Sequence, residues 1–104
     1  MDLFRYSSAE AQPLPGGANA FYTAVRRNNR TIAMMLVIDK RGDTGKRAIR
    51  SDTVITVIAG EGNIRAGGSV AELRPGDVVT MPGGREHQIW TSTSGLHLVI
   101  VNVR

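Results

Sequence analysis

"GEGNIRAGGSVAELRPGDVVTMPGGREHQIW", residues 60–90, sets short apolar runs between glycine and proline turns, and its reading decides the fold. "NIRAGG" and "SVAEL" form two short strands around Gly67 and Gly68. "RPGD" is a turn, with Pro75 presetting φ at its second position and Gly76 free to take the left-handed region. "VVTM" is a strand that stops at Pro82, because proline cannot donate a ladder hydrogen bond. "HQIW" opens the next strand and sets His87 at its entrance.

The pattern continues in both directions. "AFYTAV" and "TIAMMLVI" flank "RRNNR", a hairpin in which Asn28 and Asn29 are expected to take the positive φ of a two-residue loop. "TVITVIAG" is rich in β-branched residues, and "LHLVIVNV" completes the set. Only Ser7 to Gln12 has helical character, and that stretch is too short to organise a domain. The fold class is therefore all-β. Many short strands broken by Gly and Pro indicate a sandwich or barrel, which removes or protects exposed strand edges. Apolar residues on both parities of "TVITVI" and "LVIVNV" imply burial on both faces, one of them under another layer or a partner subunit. A homodimer is the expectation, with Trp90, outward by parity, at its interface.

The 104 residues fit one domain. Residues 1–20, with the flexible "PLPGG", are expected to be a lead-in, and residues 21–104 the barrel. The chain has no cysteine, which excludes disulfide frameworks, thiolate zinc sites and cysteine nucleophiles. The first residues carry Asp2 and no long apolar core, so a cytoplasmic protein without a membrane partner is expected. Net charge is +4, and the basic residues run from Arg5 to Arg104. With no basic helix and no interleaved aromatics, they read as a solvated surface, and no nucleic-acid partner is expected. The cluster Arg26, Arg27 and Arg30 reads as a solvated hairpin tip.

From about residue 30 to the C-terminus these motifs resemble the cupins, a family of small jelly-roll barrels (double-stranded β-helices) that includes the RmlC-like proteins. The family's second motif asks for Gly, five residues, Pro, one residue, Gly, two residues, His, three residues, Asn. Gly76, Pro82, Gly84 and His87 fall on it, and Thr91 stands where Asn is expected. The first motif is Gly, five residues, His, one residue, His, three or four residues, Glu, six residues, Gly; its two His and Glu bind a divalent metal beside the second motif's His. Anchored on Gly60, the Glu position is Thr53. The paired His positions are Arg47 and Ile49 at the shorter spacing, Lys46 and Ala48 at the longer. The opening Gly slips as well, the nearest being Gly42. The resemblance thus implies a cupin with a degenerate first motif, for which neither metal nor cofactor is expected. One imidazole cannot compensate for an ion's lost hydration, and a cation at Arg47 or Lys46 repels it. A metal held by other means would need His87 together with Asp52, Glu86 or His97. Asp52 and Glu86 sit one residue from inward positions, and His97 shares the parity of Val99 and Val101.

Alternation from His87 and Thr53 puts Thr53, Ile55, Val57, His87, Ile89 and Thr91 inward, with Met34 and Leu36 from the preceding strand. This lining is mostly apolar. With the imidazole, two hydroxyls and Arg47 as its polar contacts, it suits a small ligand that is partly apolar or anionic. Small-molecule binding is the leading expectation, and two alternatives stand beside it. One is an enzyme, either metal-dependent through recruited ligands or a metal-free isomerase or lyase with His87 as the catalytic base. Tyr6 and Tyr22 are the acids in view for such a scheme, and both read more simply as packing residues. The other is a structural or interaction module whose barrel is filled by its own side chains.

Overall fold

The computed structural model describes residues 1–103 as an all-β jelly-roll barrel. Its strands are β1 (Gln12–Pro13), β2 (Ala18–Arg27), β3 (Thr31–Asp43), β4 (Arg47–Ala48), β5 (Asp52–Gly60), β6 (Gly62–Ala66), β7 (Ser69–Leu73), β8 (Val78–Met81), β9 (Glu86–Trp90) and β10 (Leu96–Val103). All pairings are antiparallel, in the order β7-β6-β9-β3-β10-β5-β8, with β2 also beside β3, β1 beside β2, and β4 beside β9.

β3 meets β9 through a single ladder pair, Asp43 with Trp90. The strands therefore divide into a large sheet, β1-β2-β3-β10-β5-β8, and a small one, β7-β6-β9-β4, joined at that seam. Thr44 N donates to Ile89 O (2.8 Å), and Thr91 N donates to Gly42 O (3.1 Å). Ile89 N has no backbone acceptor there and donates instead to the Thr44 hydroxyl (3.0 Å). The chain reaches the seam through Arg41, at φ +63°, and Gly42. A Cβ on Gly42 would lie 2.7 Å from the carbonyl oxygens of Ala18 and Asn19, so the close approach needs glycine.

Strict alternation fills the interior. Thr53, Ile55 and Val57 of β5, Leu96, Leu98 and Ile100 of β10, and His87 and Ile89 of β9 are all buried, while the residues between them are half-buried or exposed. Leu36, Ile38, Ile64 and Leu73 complete one continuous core. Fully burying each Leu or Ile side chain contributes about 1.5–3 kcal/mol relative to exposure. The lead-in takes part in this core. Leu14 and Ala20 are 6% and 3% exposed, Leu14 N donates to Ala20 O (2.8 Å), and β2 starts at Ala18 rather than Phe21.

Two local expectations differ from the structure. The β2–β3 hairpin forms, but neither Asn28 nor Asn29 has positive φ; Asn28 Oδ1 accepts from Arg30 N (2.9 Å) and Thr31 N (2.8 Å), so a side chain closes the turn. Ser7 to Gln12 is one hydrogen-bonded turn, with Glu10 N and Ala11 N both donating to Ser7 O, and no helix occurs among the described residues. From this turn Tyr6 lies against His97 on the outer face of the large sheet, ring centroids 6.3 Å apart. Burial, helped by the nearby Asp39 carboxylate, pushes the Tyr6 phenol above its ordinary value.

Thr44→Val keeps the volume at the seam and removes the acceptor for a buried N–H. We expect a loss of about 1–3 kcal/mol with an unchanged denaturant slope, measured by equilibrium urea unfolding. A variant as stable as the parent would show that the Thr44 hydroxyl is not needed to close the barrel.

Candidate functional site

One end of the barrel is solid. Ile38 and Leu96 are fully buried, Leu73 and Val57 nearly so, and Thr91 is held there by a bond from its Oγ1 to Glu61 O (2.7 Å). The other end carries the interior polar groups. His87 is 6% exposed at the start of β9. Its Nδ1 lies 3.1 Å from Arg85 O, and because a carbonyl only accepts, Nδ1 carries a proton in this contact. Arg47 is the direct cross-strand partner of His87, which puts both side chains on one face. Arg47 Nη1 also donates to Pro15 O (2.8 Å), tying β4 to the lead-in.

Around these two groups lies a chamber of about 30 Å³, walled also by Leu14, Met34, Leu36, Thr44, Ile49, Ile89 and Ile100. That is roughly the share of one water in the liquid, about 30 Å³. Met34, Leu36, Arg47, His87 and Ile89 of the expected lining therefore meet in one place. Ile55 and Val57 lie in the packed core, Thr91 is at the solid end, and Thr53 is turned to Asn102, whose Oδ1 accepts from Thr53 Oγ1 at 2.8 Å.

Asn102 is 3% exposed and leads to a second space, a cleft of about 720 Å³ at the barrel mouth, lined by Ile32, Ile49, Arg50, Ser51, Asp52, Asn102 and Val103. The Asn102 amide is paired with Thr53 Oγ1 on the core side and keeps hydrogen-bonding capacity towards the cleft. Ile49 borders both spaces and is the partition between chamber and mouth. Its position is fixed by Gly84 N, which donates to Ile49 O (2.6 Å), and by Gly83 N, which donates to Asp52 Oδ1 (2.9 Å). Leu14, Thr44, Ile49 and Asn102 were not among the expected site residues. Asn102 continues the inward parity of Leu96, Leu98 and Ile100, so the alternation of β10 does point to it. The other three lie outside long strands, where parity gives no signal.

A family model described as a cupin domain matches residues 35–104. The chain belongs to the cupin family. No curated protein matches it. Among solved structures it is similar to a cupin 2 conserved barrel domain protein from Salinispora arenicola CNS-205, with TM-score 0.84 and 16% identity over 100% of this chain and 89% of that one. It is also similar to an RmlC-like cupin from Shewanella frigidimarina NCIMB 400, with TM-score 0.82 and 21% identity over 99% and 91%. A third is the polyketide cyclase RemF from Streptomyces resistomycificus, with TM-score 0.79 and 16% identity over 98% and 80%. At these identities the likeness concerns the fold.

The metal that cupin motifs imply does not fit this cupin's residues. Arg47 and Ile49 stand on the chamber wall, and the Arg47 cation directly faces the His87 strand position. Asp52 and Glu86 are exposed, and His97 is exposed on the outer face opposite Val37. Among the described residues no three His, Cys, Asp or Glu converge. A divalent ion would meet one imidazole and a guanidinium. Plasma mass spectrometry of protein purified without a histidine tag or chelator is expected to find well under one transition metal per chain, unchanged in His87→Ala. A near-stoichiometric metal that disappears with His87 would overturn this account of the chamber.

Proposed function

We propose that this cupin is a cytoplasmic, homodimeric small-molecule-binding protein whose ligand, small and either anionic or partly apolar, docks at the barrel mouth. The observation that carries the reading is the mouth cleft of about 720 Å³, in whose wall the Asn102 side-chain amide stands with Thr53 as its hydrogen-bond partner. An amide that lines a cleft with hydrogen-bonding capacity to spare can bind a ligand oxygen there. Arg50 adds a cation to the same lining, and Ile32, Ile49 and Val103 give it apolar surface. Binding is favoured over catalysis because His87 Nδ1 is held by a main-chain carbonyl, so no carboxylate orients the imidazole as a base.

The chamber volume of about 30 Å³ favours a second reading, an interaction module with a filled barrel. Benzoate, a small anion with an apolar ring, separates the two. In an amide NMR titration the binder predicts saturable shifts at Ser51, Asp52 and Asn102, and tighter binding by Ile49→Ala, which joins chamber to mouth. No saturable shift in either protein would leave the filled module as the better account.

The homodimer reading rests on the outer face of the large sheet. Met35, Val54, Val99 and Val101 are half-buried there, with Val78 and Val103 exposed by 60% and 49%. Apolar surface of this kind marks an interface. Sedimentation equilibrium is expected to give twice the chain mass, reduced to one in Val99→Glu, since Val99 sits between Met35 and Thr56 on that face. A parent protein that sediments as a monomer would remove the dimer from the proposal.

A further inference from the structure

The outer face of the small sheet carries a separate cleft of about 170 Å³, and its walls are cationic. Lys46, Arg65 and Arg85 line it, with Glu86 as the one carboxylate and His87 as a shared wall with the inner chamber. Arg65 projects from β6 opposite Gln88 of β9, so both side chains stand on the face away from the core. Like charges gathered in one cleft repel one another, and surface cations normally relieve this by pairing with acids or swinging into water. Here two of the three rest against neighbouring groups. The Arg65 guanidinium lies 5.4 Å from the centre of the Trp90 ring, a cation–π contact. The Arg85 guanidinium lies against the two-glycine turn between β6 and β7, where a Cβ on Gly67 would fall 3.1 Å from Arg85 Cζ. Neither contact neutralises charge. The one ion pair among the described residues is Arg74 with Glu72, so Glu86 pairs with none of the three.

We propose that this cleft is a binding site for a phosphoryl group, carried by a small phosphomonoester or as free phosphate. Three cations against one carboxylate leave a charge of +2, and a phosphoryl group carries about −1.5 to −2 near neutrality. Its several oxygens accept from donors converging on it from different sides, as cations on β6, on the segment before β4 and on the segment before β9 do. Arginine suits this task because its planar fork grips two oxygens at once. The cleft lies on the opposite side of β9 from the interior, and its occupancy does not depend on the mouth being a ligand site.

The test is an amide NMR titration at low ionic strength with inorganic phosphate and, separately, methyl phosphate. Saturable shifts are expected at Gly67, Gly68, Arg85 and Gln88, with affinity falling about tenfold or more in Arg85→Gln and in Arg65→Gln. Arg26→Gln at the β2–β3 hairpin tip is expected to bind as the parent does. Tighter binding of methyl phosphate than of phosphate identifies a phosphomonoester as the ligand; equal or weaker binding identifies the free ion. The unshifted remainder of each variant's spectrum reports whether its fold is kept. Shifts that never saturate, that spread equally to the hairpin tip, or that persist unchanged in a folded Arg85→Gln would reduce the cleft to general charge screening and overturn the proposal.

Discussion

The barrel depends on the few hydrogen bonds that join Gly42 and Thr44 to Ile89 and Thr91. Elsewhere each sheet is built from long regular ladders, such as β3 with β10 and β5 with β10. At the seam only one residue pair belongs to such a ladder, and a threonine hydroxyl stands in for a missing backbone acceptor. His87 lies two residues before Ile89, and Arg47 three after Thr44. The contacts that close the barrel therefore also set the imidazole opposite the guanidinium, so a change at Arg47 pulls on the closure itself.

That coupling holds the chamber closed through protein contacts. Where ligands would gather around a metal, the space is taken by an arginine anchored outward on Pro15 O and by an isoleucine held through its carbonyl. Leu14 closes the chamber from the lead-in side. A small β-barrel needs every apolar contact it can make, because its buried fraction is low. Filling one end with Ile38, Leu73 and Leu96 allows the other end to keep polar residues such as Asn102 that are only partly satisfied.

The fold was legible because two simple signals agreed. Period-two alternation marked Thr53, Ile55, Val57, His87 and Ile89 as interior, and turn chemistry marked the breaks, as at Gly76, where φ is +92° and Arg74 N is held by Asp77 Oδ2. The site was less legible because part of it lies where neither signal operates. Thr44 and Ile49 sit outside the long strands, and Leu14 sits between prolines in a segment that reads as a linker. The β2–β3 turn shows a related limit. Asn28 favours turns both by tolerating positive φ and by hydrogen bonding through its side chain, and composition alone does not choose between them.

The outer cations were the hardest to see, for a physical reason. An outward residue on a strand carries no burial signature, so Arg65, Lys46 and Arg85 look alike in sequence to any other surface base. Their grouping appears only when the register sets Arg65 beside Gln88 and the glycine turn brings the chain back towards Arg85. His87 then has Arg47 on its interior side and three further cations around the cleft beyond it. This end of the barrel concentrates positive charge in a molecule whose net charge is only +4. Such a field disfavours a bound metal ion and favours an anion on either side of β9. The charge facing the chamber and the charge displayed outside thus act in the same direction through one strand.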